Sequence, residues 1–378
     1  MTQRPTLEQV RAALAGVEDP EIHRPVTELG MVDSVTVDAD GGVDVRLLLT
    51  VAGCPMRQTL TERTTAAVSA VPGVREVRVE LGVMSEEQRA ALGVQLRGGR
   101  AEPEIRFARP DSLTRVYAVA SGKGGVGKSS VTVNLAAALA ATGQRVGVVD
   151  ADIYGHSIPR MLGVTGRPTQ VDQMIMPPAA HGVSVISIGM FTSGNTPVVW
   201  RGPMLHRALQ QFLADVWWGD LDVLLLDLPP GTGDVAISLA QLLPNAEILL
   251  VTTPQPAAAE VAERAGSVAL QTHQRIVGVV ENMAWLDLPD GSRLEVFGTG
   301  GGLAVADALT RLTGAPVPLL AQIPIDVRMR EGGDEGLPVV LADPGSAAAQ
   351  ALTGLASRLG ARARGLAGRP LGLTPVGP

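Results

Sequence analysis

The sequence predicts an α/β protein, a mostly parallel sheet covered by helices on both faces and preceded by a small α+β domain. Three observations carry that prediction. Short apolar runs recur at 115–120, 145–149, 183–188, 223–226, 247–251, 276–280 and 319–323, each the length of a strand. Helical stretches such as 130–141 and 257–271 fall between them, and strands alternating with helices build a sheet buried on both faces. Ahead of residue 114 the pattern differs: Val43, Val45, Leu47 and Leu49 recur at every second position, which suits a strand with one face in water.

Taken in order, a helix begins near Thr6, and a strand near 31–37 leads through Asp38-Ala39-Asp40-Gly41-Gly42 into the strand 43–49, an antiparallel hairpin. A helix after Cys54-Pro55 and a strand at 75–81 complete a domain over 5–83. From 84 to 113 the chain turns polar, with one short helical pattern at 85–92, and reads as a linker packed on the next domain. From 114 to 359 the order strand, glycine loop, helix repeats, so ligands belong at the carboxyl ends of the strands. The stretch 360–378, rich in Gly, Arg and Pro, reads as a disordered tail.

Composition narrows the function. With 378 residues, 46% of them hydrophobic, the chain has material for more than one core. No apolar run approaches a membrane span and the first residues lack a charged-then-apolar signal, so a cytoplasmic protein without a membrane partner is expected. A net charge of -7 argues against nucleic acid as a partner. The single cysteine, Cys54, excludes an intrachain disulfide and any centre built from several thiolates of one chain. Of 31 basic residues only Lys123 and Lys128 are lysines. Both stand in one glycine-rich loop, where a compact ammonium on a flexible stem does what a planar guanidinium cannot.

That loop is Gly122-Lys123-Gly124-Gly125-Val126-Gly127-Lys128-Ser129. It fits G-x-x-x-x-G-K-[ST] between a strand and a helix, the setting in which the motif cradles nucleotide phosphates. The glycines let backbone N–H groups turn inward, with Ser130 in the same first turn of the helix. Lys128 reaches the β and γ phosphates of ATP, and the Ser129 hydroxyl ligates magnesium. Asp227 ends a strand in Leu-Asp-Leu-Pro-Pro-Gly-Thr-Gly-Asp and suits a carboxylate that holds magnesium through water. Asp150 and Asp152 end another. Asp152 suits the orienting of the attacking water, whereas for Asp150 alone a cap or turn former is a good reading.

These residues amount to a resemblance. The strings SGKGGVGKSSVTVNLA, VDADIYGHSIP, WRGPMLHRAL, DLPPGTGD, ENMAW and FGTGGG make 114–345 similar to the Mrp/Nbp-type ATPases, relatives of MinD, ParA and the nitrogenase iron protein. DPEIHRPVTELGMV and TVAGCPMRQTL make 5–83 similar to the PaaD-like domain fused ahead of many of them. The resemblance implies a slow magnesium-dependent ATPase that carries iron–sulfur clusters to apoproteins and works with assembly factors. It makes Lys123 the signature lysine that reaches the phosphates of the other subunit, implying a nucleotide-sandwich homodimer, and gives Asn282 a contact with adenine. The family's usual C-x-x-C-G falls where this chain has Asp287 and Asp290. Carboxylates are hard donors and poor ligands for such clusters, and Asp290-Gly291 after Pro289 reads as a hairpin turn.

Cys54 lies in a Gly-Cys-Pro turn before a helix, where the dipole favours thiolate. It reads equally as a buried structural residue or as a cluster ligand completed by a small thiol or a partner. His156, His206 and His273 have no paired spacing and read as surface or packing residues. Trp217 and Trp218 read as closing a helix against the core, with a contact to the N-terminal domain as the alternative. Three functions stay open: a cluster carrier, a nucleotide-gated adaptor that has lost its cluster, and a positioning ATPase like MinD or ParA. The last normally needs a basic amphipathic helix or a basic DNA face, and 347–364 has no bulky apolar stripe.

Overall fold

The computed structural model describes residues 4–50, 56–96, 104–152, 155–191, 202–231, 234–255, 266–267 and 269–360. Cys54, most of the helix expected at 257–271 and all but the first residue of the expected tail lie outside them. The chain divides into two compact units: 1–106 with 166–178 and 210–219, and the remainder.

The first unit opens with a helix, Leu7–Leu14, fastened by a capping box between Thr6 and Gln9. Three strands come next, β1 (Val32–Val37), β2 (Gly42–Leu49) and β3 (Glu76–Val83), in that spatial order. β1 and β2 are antiparallel. Asp38 sets their turn, its Oδ1 accepting from the N–H of Asp40 at 2.9 Å and of Gly42 at 2.7 Å. β3 returns parallel to β2 after the helix Arg57–Ser69. Val10, Leu14, Val43, Val45, Leu47 and Val68 close one core, as the alternation in β2 requires. The helix Glu86–Leu96 puts Leu92 and Leu96 into a second.

In the second unit β4 (Arg115–Ala120) and β5 (Val146–Asp150) begin a sheet. The chain then enters the first unit with β6 (Thr169–Val171) and β7 (Met174–Met176), an antiparallel pair. Val171, Met174 and Met176 join a cluster with Val17, Ile22, Leu49, Met84, Leu92 and Trp217. The backbone N–H of Trp217 donates to Ile175 O at 2.7 Å. Its ring is flanked by the guanidinium groups of Arg24 at 5.7 Å and Arg106 at 5.5 Å. Trp217 thus packs with N-terminal residues, and Gly219 at φ +63° ends the segment.

The sheet resumes with β8 (Ala179–Ala180), β9 (Val183–Ser187), β10 (Val223–Asp227), β11 (Glu247–Thr252), β12 (Ile276–Asp287), β13 (Arg293–Leu294) and β14 (Leu319–Ile325). Among the described residues nine strands pair in the order β13-β12-β11-β4-β10-β5-β9-β8, with β14 beside β12. All pairings are parallel except β12 with β13 and β8 with β9. The helix Lys128–Ala141 is buried along most of its length, its run of alanines allowing close approach to sheet and neighbouring helices. The helix Ala347–Leu359, capped by Ser346, packs into the same core. No helix of the described residues is long and apolar enough to cross a membrane.

Candidate functional site

β10 lies between β4 and β5, so Asp227 at its end stands beside Val119 on one side and Asp150 on the other. β4 runs directly into the glycine loop, which turns back with Gly125 at φ +80° and Gly127 at φ +78°. Only glycine takes that conformation freely. At Gly127 space is short as well, since a Cβ would fall 2.3 Å from the Asn282 side-chain nitrogen.

Asp227 is fully buried and gathers three donors. Lys128 Nζ lies 2.6 Å from Oδ2, Ser129 Oγ donates to the same oxygen at 2.7 Å, and Thr132 Oγ1 donates to Oδ1 at 2.7 Å. The structure therefore brings together Lys128, Ser129 and Asp227 and adds Thr132, which the motif does not name. Its position four residues after Lys128 is the signal: one turn further along the helix it faces the same carboxylate.

Asp150 is a second buried carboxylate. Burial, and then the charge of Asp227, push its pKa up to about 8, against a bond from Ser187 that works the other way. Ser187 Oγ donates to Oδ2 at 3.1 Å, and the backbone N–H groups of Asp152 and Ile158 approach at 3.3 and 3.4 Å. It spans both ends of the loop that carries Asp152. Asp152 itself is half-buried and accepts from the Gly155 N–H at 3.1 Å.

Lys123 does not join the Asp227 group; its ammonium donates to the Gln255 side chain, in the segment that follows β11. Asn282, on β12, donates its amide to Val126 O at 2.9 Å, holding the loop from behind. Beside Gly127, Ser130 and Asn282 opens a cavity of about 710 Å³, walled mainly by apolar side chains.

Asp287 and Asp290 are engaged in a hairpin. Asp287 Oδ1 accepts from Trp285 Nε1 at 3.0 Å and Arg293 Nε at 3.3 Å, and the Arg293 guanidinium lies 4.1 Å from the Trp285 ring centre. Asp290 Oδ1 accepts from the N–H of Ser292 at 2.9 Å and from its hydroxyl at 2.6 Å, while Gly291 at φ +83° makes the turn. Among the described residues no group of three or more His, Cys, Asp or Glu could hold a metal ion.

The chain is similar to known proteins in sequence and in structure. Residues 112–360 match the family described as NUBPL iron-transfer P-loop NTPase, and residues 7–81 match the iron–sulfur cluster assembly protein family. The chain is 68% identical to the iron–sulfur cluster carrier protein of Mycobacterium tuberculosis strain H37Rv, over 97% of its own length and 96% of the relative's. To the protein of that name from Synechocystis it is 39% identical, covering 94% and 97%. In structure it resembles a nucleotide-binding protein from Archaeoglobus fulgidus in complex with ADP, with a TM-score of 0.52 and 36% identity over 63% of this chain and 92% of that one.

Proposed function

The chain belongs to the NUBPL iron-transfer P-loop NTPases, joined to an iron–sulfur cluster assembly domain, and from that membership we propose that it is an ATP-hydrolysing carrier which takes iron–sulfur clusters as cargo and delivers them to apoproteins. The carrier role rests on the family and on relatives bearing that name. The switch that drives it rests on one observation, the buried Asp227 carboxylate shared by Lys128 and Ser129.

These residues fit a magnesium nucleotide. The Ser129 hydroxyl and Asp227 Oδ2 are 2.7 Å apart, a hydroxyl and a carboxylate able to face one hard cation together. Magnesium bound there supplies neutralisation of charge on the β and γ phosphates. Lys128 binds those phosphates with the backbone N–H groups of the loop from Gly122 to Ser129. Asp152 orients the attacking water. The nucleoside takes the cavity beside Gly127, against Asn282. Slow turnover suits a switch of this kind. In a nucleotide-bound homodimer Lys123 leaves Gln255 to reach the phosphates of the second copy.

Cys54 is the one thiolate each chain offers its cargo, two in a homodimer, where a cluster normally takes four. A small thiol, an assembly factor or the recipient apoprotein in the cytoplasm supplies the others. The engagement of Asp287 and Asp290 within their own hairpin favours one second reading, a nucleotide-gated adaptor without a cluster.

Anaerobic reconstitution with iron, sulfide and a small thiol, and then transfer to an apo iron–sulfur protein, separates the two. The carrier reading expects a visible-absorbing cluster that Cys54→Ser loses, and a transfer rate that changes with ATP and no longer does so in Lys128→Ala. No cluster under any condition leaves the adaptor.

A further inference from the structure

We propose that the β12–β13 hairpin forms a wall of the nucleoside pocket, so that the base of a bound nucleotide rests on the hairpin and on the phosphate loop together. The inference deepens the nucleotide reading above and rests on it. The 710 Å³ cavity is lined by Gly127 and Ser130, and also by Leu286 of β12 and by Val296 and Phe297, which follow just after β13. An aromatic ring and two aliphatic side chains are the surface that a purine face prefers.

The backbone explains how the hairpin reaches this place. β12 pairs in register with β14 from Val280 to Asn282, after one shift at Val279, and shifts again before Leu286. Within that break Met283 has φ +57°, a left-handed setting that a long side chain adopts only when its surroundings impose it. The bend keeps Met283 at Gly127, its Cε 3.5 Å from where a Cβ would stand. The base of the hairpin is fastened on both sides. Asn282 holds the phosphate loop through Val126 O, and Glu281, only 1% exposed, accepts from the Gly302 N–H at 2.5 Å and from Gln322 Nε2 at 2.7 Å. Farther out, Asp287 clasps Trp285 and Arg293. A nucleoside seated against Leu286 and Phe297 therefore pushes on a pre-assembled element, and the hairpin senses the base rather than the phosphates.

The test compares ADP with inorganic tripolyphosphate, which has the phosphates and no base, by calorimetric titration of the full chain with magnesium. Phe297→Ala is expected to weaken ADP binding about tenfold, the loss of one well-buried aromatic contact, and to leave tripolyphosphate affinity unchanged. Val296→Asn, at a side chain 48% exposed and so no threat to folding, is expected to act in the same direction to a smaller degree. Trp285 emission should shift with ADP and not with tripolyphosphate, and Trp285→Phe should lose the shift. Equal weakening of both ligands, no weakening of either, or an emission change with tripolyphosphate alone overturns the proposal. A native chain that binds neither ligand defeats the nucleotide reading itself and this proposal with it; a native chain that binds both while the variants are silent defeats only the proposal.

Discussion

Replacing Thr132 by valine removes one of the three donors on the buried Asp227 carboxylate and changes the shape of the site very little. Thr132 and Asp227 are both fully buried, and the bond from Oγ1 to Oδ1 is 2.7 Å. Water cannot replace the lost donor, and a hydrogen bond to a charged partner contributes about 1.5–3 kcal/mol. At about 2–4 °C per kcal/mol for a unit of this size, the melting temperature should fall by roughly 3–12 °C. Lys128 and Ser129 remain on the other oxygen, so ADP affinity should stay close to that of the native chain. Thr132→Ser restores the donor and should recover most of the loss. Thermal and urea unfolding monitored by circular dichroism, with calorimetry for ADP, measure these quantities. A valine variant within about 0.5 kcal/mol of native, the usual range of a surface change, refutes the role given to this bond. A serine variant as unstable as the valine one assigns the loss to packing.

The same geometry sets other outcomes. Lys128→Ala should abolish ADP binding and turnover, whereas Lys123→Ala, outside the Asp227 group, should keep much of the binding and lose turnover or ATP-linked dimerisation; unimpaired activity in both defeats the cradle. Gly127→Ala puts a Cβ 2.3 Å from the Asn282 nitrogen at φ +78°, so ADP affinity should fall at least tenfold, a cost of about 1.4 kcal/mol or more, and native-like affinity argues against the loop assignment. The Asp150 carboxyl, pushed up to about 8 from its ordinary 3.8, keeps a proton in the folded chain that the unfolded chain releases. Stability should therefore fall as pH rises between those two values. Asp150→Asn should remove that decline in urea unfolding at acidic and mildly alkaline pH, and parallel slopes in both proteins would falsify the assignment.

The glycine loop, the strand-end aspartates and the parallel sheet were legible because each is a local pattern: a motif, an apolar run ending in a carboxylate, a helix between strands. What was hidden depends on contacts between distant residues. Gln255 as the partner of Lys123 has no local signature, since it becomes a neighbour only when β11 lies beside β4. Asp150 reads as a turn former, and its burial between β10 and β9 is a property of strand order. The strands β6 and β7 are too short to stand out by periodicity, and nothing along 166–178 says that its apolar side chains belong with Ile22 and Leu92. Asp290-Gly291 shows the opposite case, a turn readable from two residues and formed as read.

The membership of 166–178 and 210–219 in the first unit bears on the order in which the protein is made. A ribosome that has released the first hundred or so residues has delivered the three-stranded sheet, but not Val171, Met174, Met176 or Trp217, which complete the second core of that unit. At about 5–20 residues per second, the nascent segment waits roughly 5–20 s for them while its apolar face remains uncovered. The early part of the chain is thus born first and finished late, its second core closing only when Trp217 joins Ile22, Met84 and Leu92.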